Sequence, residues 1–238
     1  MLFLVSDGMG GEQAGEIASR MCVELIPERL RERLEGSGTL DISRWVEAID
    51  AAVQHANSAI HEKAQITAHE RGMGCTLTAA VVVDRQLLVA QVGDSRAYLI
   101  RGGEIQQLTR DQTLGDYLAS HHPDVPSEIV AYSHNILTQA VGSAPTVKVR
   151  ITGTGFCHGD CVLICSDGLY NMVANDEILR IVTGTLGLAN ATRELIRRAN
   201  ARGGPDNITV ILARFHVSGQ EESRDNLPIE CIEIKSDE

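Results

Sequence analysis

Residues 76–108 decide the fold, and their sequence is TLTAAVVVDRQLLVAQVGDSRAYLIRGGEIQQL. The β-branched or aliphatic runs in this stretch are Thr76–Val83, Leu87–Val92, Ala97–Arg101 and Glu104–Leu108. The first two runs are separated by a short polar turn, and the last two flank Gly102-Gly103, a strong hairpin signal. Because strands joined by such short turns must be antiparallel, the stretch predicts two consecutive β-hairpins.

Helical periodicity appears on both sides of these strands. Apolar residues recur at helical spacing from Ala14 to Leu25 and from Ile42 to Ile60, and Asp41 is placed to cap the second helix. The other predicted elements are strands at Leu2–Val5, Val147–Thr152, Cys161–Cys165 and Ile208–Phe215 and helices at Asp176–Thr183 and Ala189–Ala201. This order indicates an α+β domain with helices on the outside of packed antiparallel sheets.

The chain has no internal repeat or interdomain linker, so we predict one domain over residues 1–216. Residues 217–238 are predicted to be an acidic C-terminal tail, in which Ile229–Ile234 alternates as an edge strand would. Residues 110–135 are polar and contain Pro123 and Pro126. We therefore expect the least regular internal segment there, as a flexible lid.

The composition excludes several classes of protein. The chain has 238 residues, 43% of them hydrophobic, which permits a sizeable core and argues against disorder. No apolar run approaches the ~20 residues of a membrane helix, and no basic stretch supports a nucleic-acid or membrane partner. The start lacks the basic region and long apolar run of a signal peptide. Free thiols at the six cysteines fit a soluble cytoplasmic protein.

The formal net charge of −11 is most simply an acidic, solvated surface, but four aspartates share a distinctive context. Asp7, Asp94 and Asp167 each end an apolar strand, and Asp206 opens one. Strand ends lie beside strand starts in an antiparallel sheet, so all four could meet at one rim. Clustered carboxylates repel each other and are tolerated when a cation sits between them. Oxygen ligands of this kind select Mg²⁺ or Mn²⁺.

Gly8 and Gly168 directly follow two of these aspartates. A glycine at such a position lets the backbone turn sharply and brings a carbonyl close to an ion. An Asp-Gly pair is also a common turn signal, and each pair taken alone is more simply explained as a turn. Spacing alone leaves both interpretations open.

Five motifs in a fixed order are more specific than any of these pairs. They are Val5-Ser6-Asp7-Gly8-Met9-Gly10-Gly11, Gly72-Met73-Gly74-Cys75-Thr76-Leu77, Val92-Gly93-Asp94-Ser95-Arg96-Ala97-Tyr98, Cys165-Ser166-Asp167-Gly168-Leu169 and Gly204-Pro205-Asp206-Asn207-Ile208-Thr209. Together they resemble the metal-dependent protein serine/threonine phosphatases of type 2C, the PPM family, in its bacterial-type branch. The resemblance spans about residues 1–216 and implies a four-layer α-β-β-α sandwich of two antiparallel sheets flanked by helix pairs.

The resemblance also implies a set of metal ligands. Asp7 resembles the carboxylate that bridges two Mg²⁺ or Mn²⁺ ions, with the Gly8 carbonyl on one of them. Asp167 and Asp206 resemble ligands of the second ion, and Asp94 matches the residue that joins Asp167 at a third, more labile ion. Asp7, Asp167 and Asp206 would then be the catalytic residues, acting through metal-bound water.

Residues 110–135 fall where the family has its substrate-side flap, and Ser133–Gly142 resembles the segment that closes it. His121, His122 and His134 are placed to approach a substrate from this flap. We interpret them more simply as surface histidines of a loop.

Two features depart from the family pattern. The family has an upstream strand pair with an Arg that grips phosphate and an Asn-Glu-Asp motif, and both are missing because the chain begins at Met1 inside the following strand. We expect a start recorded too late, or a truncated phosphatase with weaker substrate binding and an exposed sheet edge. Met9 stands where many eukaryotic members have a His proposed as general acid. Because Met donates no proton, the leaving group must take one from water or another residue.

The predicted activity is hydrolysis of phosphoserine and phosphothreonine in proteins by attack of a metal-bridging hydroxide, without a covalent phosphoenzyme. The resemblance implies phosphorylated proteins as partners, namely a cognate serine/threonine kinase and its substrates, and a monomeric enzyme. The alternative is a catalytically impaired phosphatase-fold module that regulates or binds phosphoproteins.

Overall fold

The computed structural model describes residues 1–36, 41–66, 72–216 and 231–235. The strands in these ranges are β1 (Leu2–Val5), β2 (Gly8–Met9), β3 (Gly74–Cys75), β4 (Leu77–Val83), β5 (Gln86–Val92), β6 (Arg96–Arg101), β7 (Glu104–Gln107), β8 (Arg150–Gly155), β9 (Cys161–Cys165), β10 (Val210–Arg214) and β11 (Ile232–Lys235). The helices are α1 (Glu12–Leu34), α2 (Ile42–Ile66), α3 (Leu114–His121), α4 (Ser127–Ser133), α5 (Asp167–Tyr170), α6 (Asn175–Gly184) and α7 (Leu188–Ala201).

Two antiparallel sheets form the centre of the molecule. Their strand orders are β1-β4-β5-β8-β11 and β10-β9-β6-β7, and β2 and β3 form a separate short ribbon. The two predicted hairpins are confirmed, since β4 pairs with β5 from Leu77 opposite Val92 onward, and β6 pairs with β7. The hairpins lie in different sheets. The turn between them, at Gly93 and Asp94, therefore crosses from one sheet to the other.

Alternation along the strands separates an inner core from two outer cores. In β9, Val162 and Ile164 face the core between the sheets, whereas Leu163 packs with residues of α6 and α7. In β5, Leu87 faces the inner core, whereas Leu88 packs with residues of α1 and α2. The order of layers is thus helix pair, sheet, sheet, helix pair, which confirms the predicted α-β-β-α sandwich.

The outer helices form where their apolar faces were predicted. The buried face of α2 includes Ile49, Val53 and Ile60. The Asp41 side chain accepts a hydrogen bond from the Arg44 backbone N–H at 2.9 Å, so the predicted cap is confirmed. Helices α6 and α7 also match their predicted positions to within a few residues.

Residues 110–135, the flap, are more regular than predicted, because α3 and α4 occupy much of this segment. The Thr113 side chain caps α3 by accepting a hydrogen bond from the Asp116 backbone N–H at 3.1 Å. Pro126 directly precedes α4. The prediction of an irregular segment is wrong because these polar and proline residues, which indicated a loop, instead begin helices.

Two strands are displaced from their predicted positions. Strand β8 begins at Arg150 rather than Val147, because pairing with β5 starts only at Arg150, opposite Gln91. The edge strand predicted at Ile229–Ile234 is β11, which pairs with β8, while residues 229 and 230 lie outside the described residues. Part of the segment assigned to the acidic tail therefore belongs to the first sheet, and the boundary at residue 216 stays a prediction.

All six cysteines are free thiols, as predicted. Cys22, Cys75, Cys161 and Cys165 are buried, and the other two are partly buried. Among the helices of the described ranges, none has the length and apolar character that crossing a bilayer requires.

A buried ion pair joins the two sheets. Arg101, at the end of β6, binds Asp160 through Nε at 3.0 Å and Nη2 at 2.7 Å, and it donates from Nη2 to the Gly155 carbonyl of β8 at 2.9 Å. The two charged side chains are 6% and 2% exposed. Removing one partner of such a pair leaves an uncompensated buried charge, which is strongly destabilising.

We predict that Asp160→Asn lowers the free energy of unfolding by about 3–5 kcal/mol, because it leaves the Arg101 guanidinium without its counter-charge. Urea unfolding measures this change. The matched control is Asp176→Asn, which breaks an exposed pair with Arg180 on α6 and should cost less than about 1 kcal/mol. Equal small losses in both variants would contradict the prediction.

Candidate metal centre

The four aspartates singled out by the sequence lie at one end of the sandwich. Asp7 follows β1, Asp94 lies in the turn between β5 and β6, Asp167 is the first residue of α5 after β9, and Asp206 precedes β10. In the second sheet Cys165 of β9 is opposite both Arg96 of β6 and Val210 of β10. These pairings put the ends that carry Asp94, Asp167 and Asp206 at the same rim.

Electrostatic interactions show that the four carboxyl groups are neighbours. Burial, followed by the charges of Asp167 and Asp206, raises the pKa of Asp7 to about 7, and Asp94 contributes as well. Burial, followed by the charges of Asp167 and Asp111, raises the pKa of Asp94 to about 7. Burial and the charge of Asp206 also raise the pKa of Asp167. The structure thus brings all four together as mutually repelling groups.

Asp7 and Asp167 are close neighbours, and the charge of Asp167 favours the protonated form of Asp7. The Oδ1 atom of Asp167 is buried without a hydrogen-bond partner, and its Oδ2 accepts only a long bond from Asn171 Nδ2 at 3.4 Å. A buried carboxylate oxygen is costly without a donor or a cation. The donor set, made of oxygens alone, fits a hard divalent cation.

Among the described residues, no three Asp, Glu, His or Cys side chains are placed so that they could hold a metal ion together. The four aspartates are therefore neighbours at a rim, and their roles as metal ligands stay predictions. Gly8 follows Asp7 and is the first residue of β2. The role of its carbonyl as a metal ligand stays a prediction.

Thr76 ties the loop of Asp7 to the loop of Asp94. The Asp7 backbone N–H donates to Thr76 Oγ1 at 2.9 Å, and the Thr76 backbone N–H donates to the Asp7 carbonyl at 2.8 Å. Thr76 Oγ1 also lies 2.6 Å from Ser95 Oγ, next to Asp94. This buried chain of hydrogen bonds fixes two carboxylates that come from different strands.

Ser166 performs the same task for the other two aspartates. Its Oγ accepts a hydrogen bond from the Thr209 backbone N–H at 3.1 Å and donates to the Asn207 carbonyl at 3.2 Å. Its backbone N–H donates to the Thr209 carbonyl at 3.1 Å. Asp167 and Asp206 are thereby held next to each other.

Gly8 and Gly168 permit close backbone approaches. A Cβ on Gly8 would lie 2.1 Å from the Gly15 carbonyl oxygen, and a Cβ on Gly168 would lie 2.3 Å from the Asn207 carbonyl oxygen. No larger residue fits either position without moving a neighbouring backbone segment. The Asp-Gly pairs are therefore more than turn signals, because each glycine lets the chain beside its aspartate lie against another segment, α1 for Gly8 and the Asn207 backbone for Gly168.

Sequence reasoning missed a charged network beside this rim. Arg96 binds Asp111 through Nε at 3.0 Å and Nη2 at 2.7 Å, and its guanidinium lies 3.6 Å above the ring of Tyr170. Burial, followed by the charge of Asp94, raises the pKa of Tyr170. The only sequence signal was that Arg96 comes two residues after Asp94 at the start of a strand. Nothing local pairs it with Asp111.

The sequence profile of the family described as "Protein phosphatase 2C" matches residues 1–213. Protein phosphatase PhpP of Streptococcus pneumoniae is 37% identical over 222 residues, which cover 92% of this chain and 88% of that protein. Serine/threonine phosphatase stp of Listeria innocua is 35% identical over 212 residues, which cover 89% of this chain and 83% of that protein.

Solved structures agree with these sequence relatives. The Mycobacterium tuberculosis serine/threonine phosphatase PstP/Ppp superposes with a TM-score of 0.79 at 33% identity, covering 91% of this chain and 88% of that one. A structure of the catalytic domain of the phosphatase PstP in complex with two manganese ions superposes with a TM-score of 0.73 at 33% identity, covering 90% and 86%.

The close approach at Gly168 gives a testable expectation. Gly168→Ala should lower the free energy of unfolding by about 1–3 kcal/mol, because the added Cβ pushes the Asn207 backbone away. The same shift moves Asp206, so we also expect weaker Mn²⁺ binding by isothermal titration calorimetry. The control is Gly184→Ala on α6, where a Cβ meets no atom within 4 Å. Unchanged stability and Mn²⁺ affinity of Gly168→Ala would refute this role.

The repulsion predicts a pH dependence for the protein kept metal-free with a chelator. The pKa of Asp7 is raised from 3.8 to about 7, so the folded state binds more protons than the unfolded state in this window. Stability from this source is therefore present at low pH and is lost as the pH rises from about 4 to about 7.

Asp7→Asn should remove the contribution of Asp7, so the free energy of unfolding of the variant should fall less steeply over this window. We expect a difference on the order of 1–2 kcal/mol, after allowing for partial solvent screening. Urea unfolding at a series of pH values measures it. The exposed Asp124→Asn is the control, and parallel curves for Asp7→Asn and wild type would rule out the repulsion.

Proposed function

The chain belongs to the protein phosphatase 2C family, and we propose that it hydrolyses phosphoserine and phosphothreonine esters of proteins at the rim formed by Asp7, Asp167 and Asp206. The observation that carries this proposal is the cluster of buried carboxylates that repel one another, with one oxygen of Asp167 left without a partner. Such an arrangement favours the binding of cations, and the bound cations can in turn bind a phosphate group. Without them, a carboxylate rim repels a dianionic ester.

Our proposed ligand set is the one that the family resemblance implies. Asp7, the Gly8 carbonyl, Asp167 and Asp206 would hold two divalent cations, Mg²⁺ or Mn²⁺. Asp94 would join Asp167 in holding a third. Support comes from the oxygen-only donors, the raised pKa values of Asp7 and Asp94, and the two manganese ions of the PstP complex.

The bound cations supply two kinds of chemistry, because they lower the pKa of a coordinated water and neutralise charge on the phosphoryl oxygens. The chain's own residues supply the positioning. Thr76 and Ser166 fix the loops of the aspartates through buried hydrogen bonds, so the carboxylates are preorganised before substrate arrives. The chain carries a formal net charge of −11, so its long-range electric field does not attract a negatively charged phosphoprotein. The bound cations must therefore attract the phosphate group.

The curated relatives are named as protein or serine/threonine phosphatases, which favours an enzyme over the alternative of a phosphatase-fold module without turnover. For the substrate we propose a cognate serine/threonine kinase and the proteins it phosphorylates. We further propose a cytoplasmic monomer. The free thiols support a reducing compartment.

The purified chain should hydrolyse p-nitrophenyl phosphate and a phosphothreonine peptide only when Mn²⁺ or Mg²⁺ is added. Asp7→Asn and Asp206→Asn should each lower kcat/KM by at least about 10²-fold, because each removes a charged ligand of the cations. The exposed Asp124→Asn serves as the matched control and should keep wild-type activity. Phosphate release measures the turnover of both substrates.

Hydrolysis that a chelator leaves intact, or full activity in Asp206→Asn, would contradict the ligand assignment. Binding of the phosphopeptide without any metal-dependent turnover would instead favour the non-catalytic module.

A further inference from the structure

A cavity of about 260 Å³ lies on the Asp94 side of the carboxylate rim. Asp94, Arg96 and Asn171 line it from the sandwich, and His134 lines it from the flap. Asn171 also donates to Asp167, so the cavity adjoins two of the four carboxylates. A group bound at the rim therefore meets the flap here, and it meets the histidine first interpreted as a surface residue of a loop.

His134 is paired with a carboxylate. Its Nδ1 lies 3.2 Å from Oδ2 of Asp116, which also accepts a hydrogen bond from Thr113 Oγ1. Because an ionised carboxylate only accepts hydrogen bonds, this contact places a proton on Nδ1 of His134. The Nε2 atom has no hydrogen-bond partner among the described residues, so it is free to act on another molecule.

The imidazole of His134 also packs closely against the backbone of Gly115. A Cβ built on Gly115 would lie 2.7 Å from Cγ and Nδ1 of His134. A hydrogen bond fixes the two backbone segments on either side of this contact, because the Leu114 N–H donates to the Ile136 carbonyl at 2.7 Å. The ring is thus held by a carboxylate on one atom and by a glycine against its face, although nearly half of the side chain remains exposed at 46%.

Other groups at this cavity are less suited to donate a proton to the ester. Arg96 stays charged and is bound by Asp111. Burial raises the pKa of Tyr170, so its hydroxyl holds its proton more firmly than usual. Asp94 belongs to the proposed cation site. An imidazole, in contrast, can donate a proton from one ring nitrogen while the other is bound to a carboxylate, which leaves His134 as the suitable group.

We propose that His134 is a catalytic residue that protonates the leaving oxygen of the phosphoester, with Asp116 and Gly115 as positioning residues. This inference rests on the proposed phosphatase activity and adds the proton donor to it. Met9, two residues after Asp7 in the chain, has a thioether with no proton to donate, so the donor must be another group.

A water molecule adds its oxygen to phosphorus and leaves one proton with the solvent. The bond between phosphorus and the ester oxygen breaks, and its electron pair stays on that oxygen. The ester oxygen then takes the proton from Nε2 of the His134 imidazolium. The products are the serine or threonine hydroxyl, inorganic phosphate and a neutral imidazole, which regains a proton from the solvent.

A leaving-group series tests this role, because p-nitrophenolate departs without a proton whereas phenolate and an alkoxide depart poorly without one. His134→Gln should lower kcat about 10²-fold for phenyl phosphate and a phosphothreonine peptide, but less than about tenfold for p-nitrophenyl phosphate. The two aryl esters have nearly the same shape. A role in structure or in substrate binding alone would lower both rates equally, and that result would overturn the proposal.

Gly115→Ala provides a second variant. The added methyl group displaces the imidazole while raising helix propensity, so weakening of α3 does not explain a loss. It should show the same selective loss for phenyl phosphate. His122→Gln, a flap histidine that does not line the cavity, is the matched control and should keep the wild-type ratio of the two aryl rates.

The pairing can also be measured without activity. In the metal-free protein at mildly alkaline pH, ¹⁵N NMR should show the His134 proton on Nδ1, and Asp116→Asn should weaken that preference. A proton on Nε2 in the wild type would overturn the arrangement. If the wild-type chain shows no metal-dependent turnover, the proposed function fails. If it turns over and His134→Gln keeps the wild-type leaving-group ratio, only the role of His134 fails.

Discussion

Carboxylates that repel one another lie at one end of the β-sandwich, and much of the local structure serves to hold them there. Burial and mutual charge raise the pKa values of Asp7 and Asp94 to about 7, so bringing these groups together is unfavourable near neutral pH in the absence of a cation. The folded state tolerates this because the cores between and outside the sheets contribute far more stability than the rim removes. Clustering the carboxylates therefore lowers the stability of the metal-free protein at this rim.

The carboxylates come from both sheets of the sandwich, and hydrogen bonds hold their loops together in pairs despite the repulsion. Thr76 bonds to the backbone of Asp7 and to the side chain of Ser95, while Ser166 bonds to the segment that follows Asp206. Each pair of loops is joined by a small, buried hydroxyl side chain. A fully satisfied hydrogen bond is strong inside the protein, so it fixes the positions of the backbone segments that it joins. The glycines beside the aspartates remove the Cβ atoms that would otherwise keep these loops apart.

Signals that lie within a few residues of each other allowed much of this to be predicted from the sequence. The two hairpins followed from turn spacing, and the candidate ligands followed from aspartates placed at strand ends. The helices of the flap were missed because the cap at Thr113 and the proline before α4 also fit a loop. The bond between Arg96 and Asp111 could not be predicted, since the contact depends on how the chain turns from β7 into the flap. The sequence indicated a sharp turn at Gly8, but the close contact between Gly8 and Gly15 could not be predicted, because Gly15 belongs to a different element.

The base of the flap and the turn that carries Asp94 are fixed by the same contacts. The Gly93 N–H donates to Gln112 Oε1 at 2.7 Å, and the Gln112 N–H donates back to the Gly93 carbonyl at 3.0 Å. One residue earlier, Asp111 holds Arg96 on the far side of that turn, and one residue later Thr113 caps α3 and bonds to Asp116. The position of Asp94 relative to the other carboxylates and the position of His134 relative to the rim thus depend on one short segment, residues 111–113. The proposed cation site and the flap are thus joined by hydrogen bonds through this one segment.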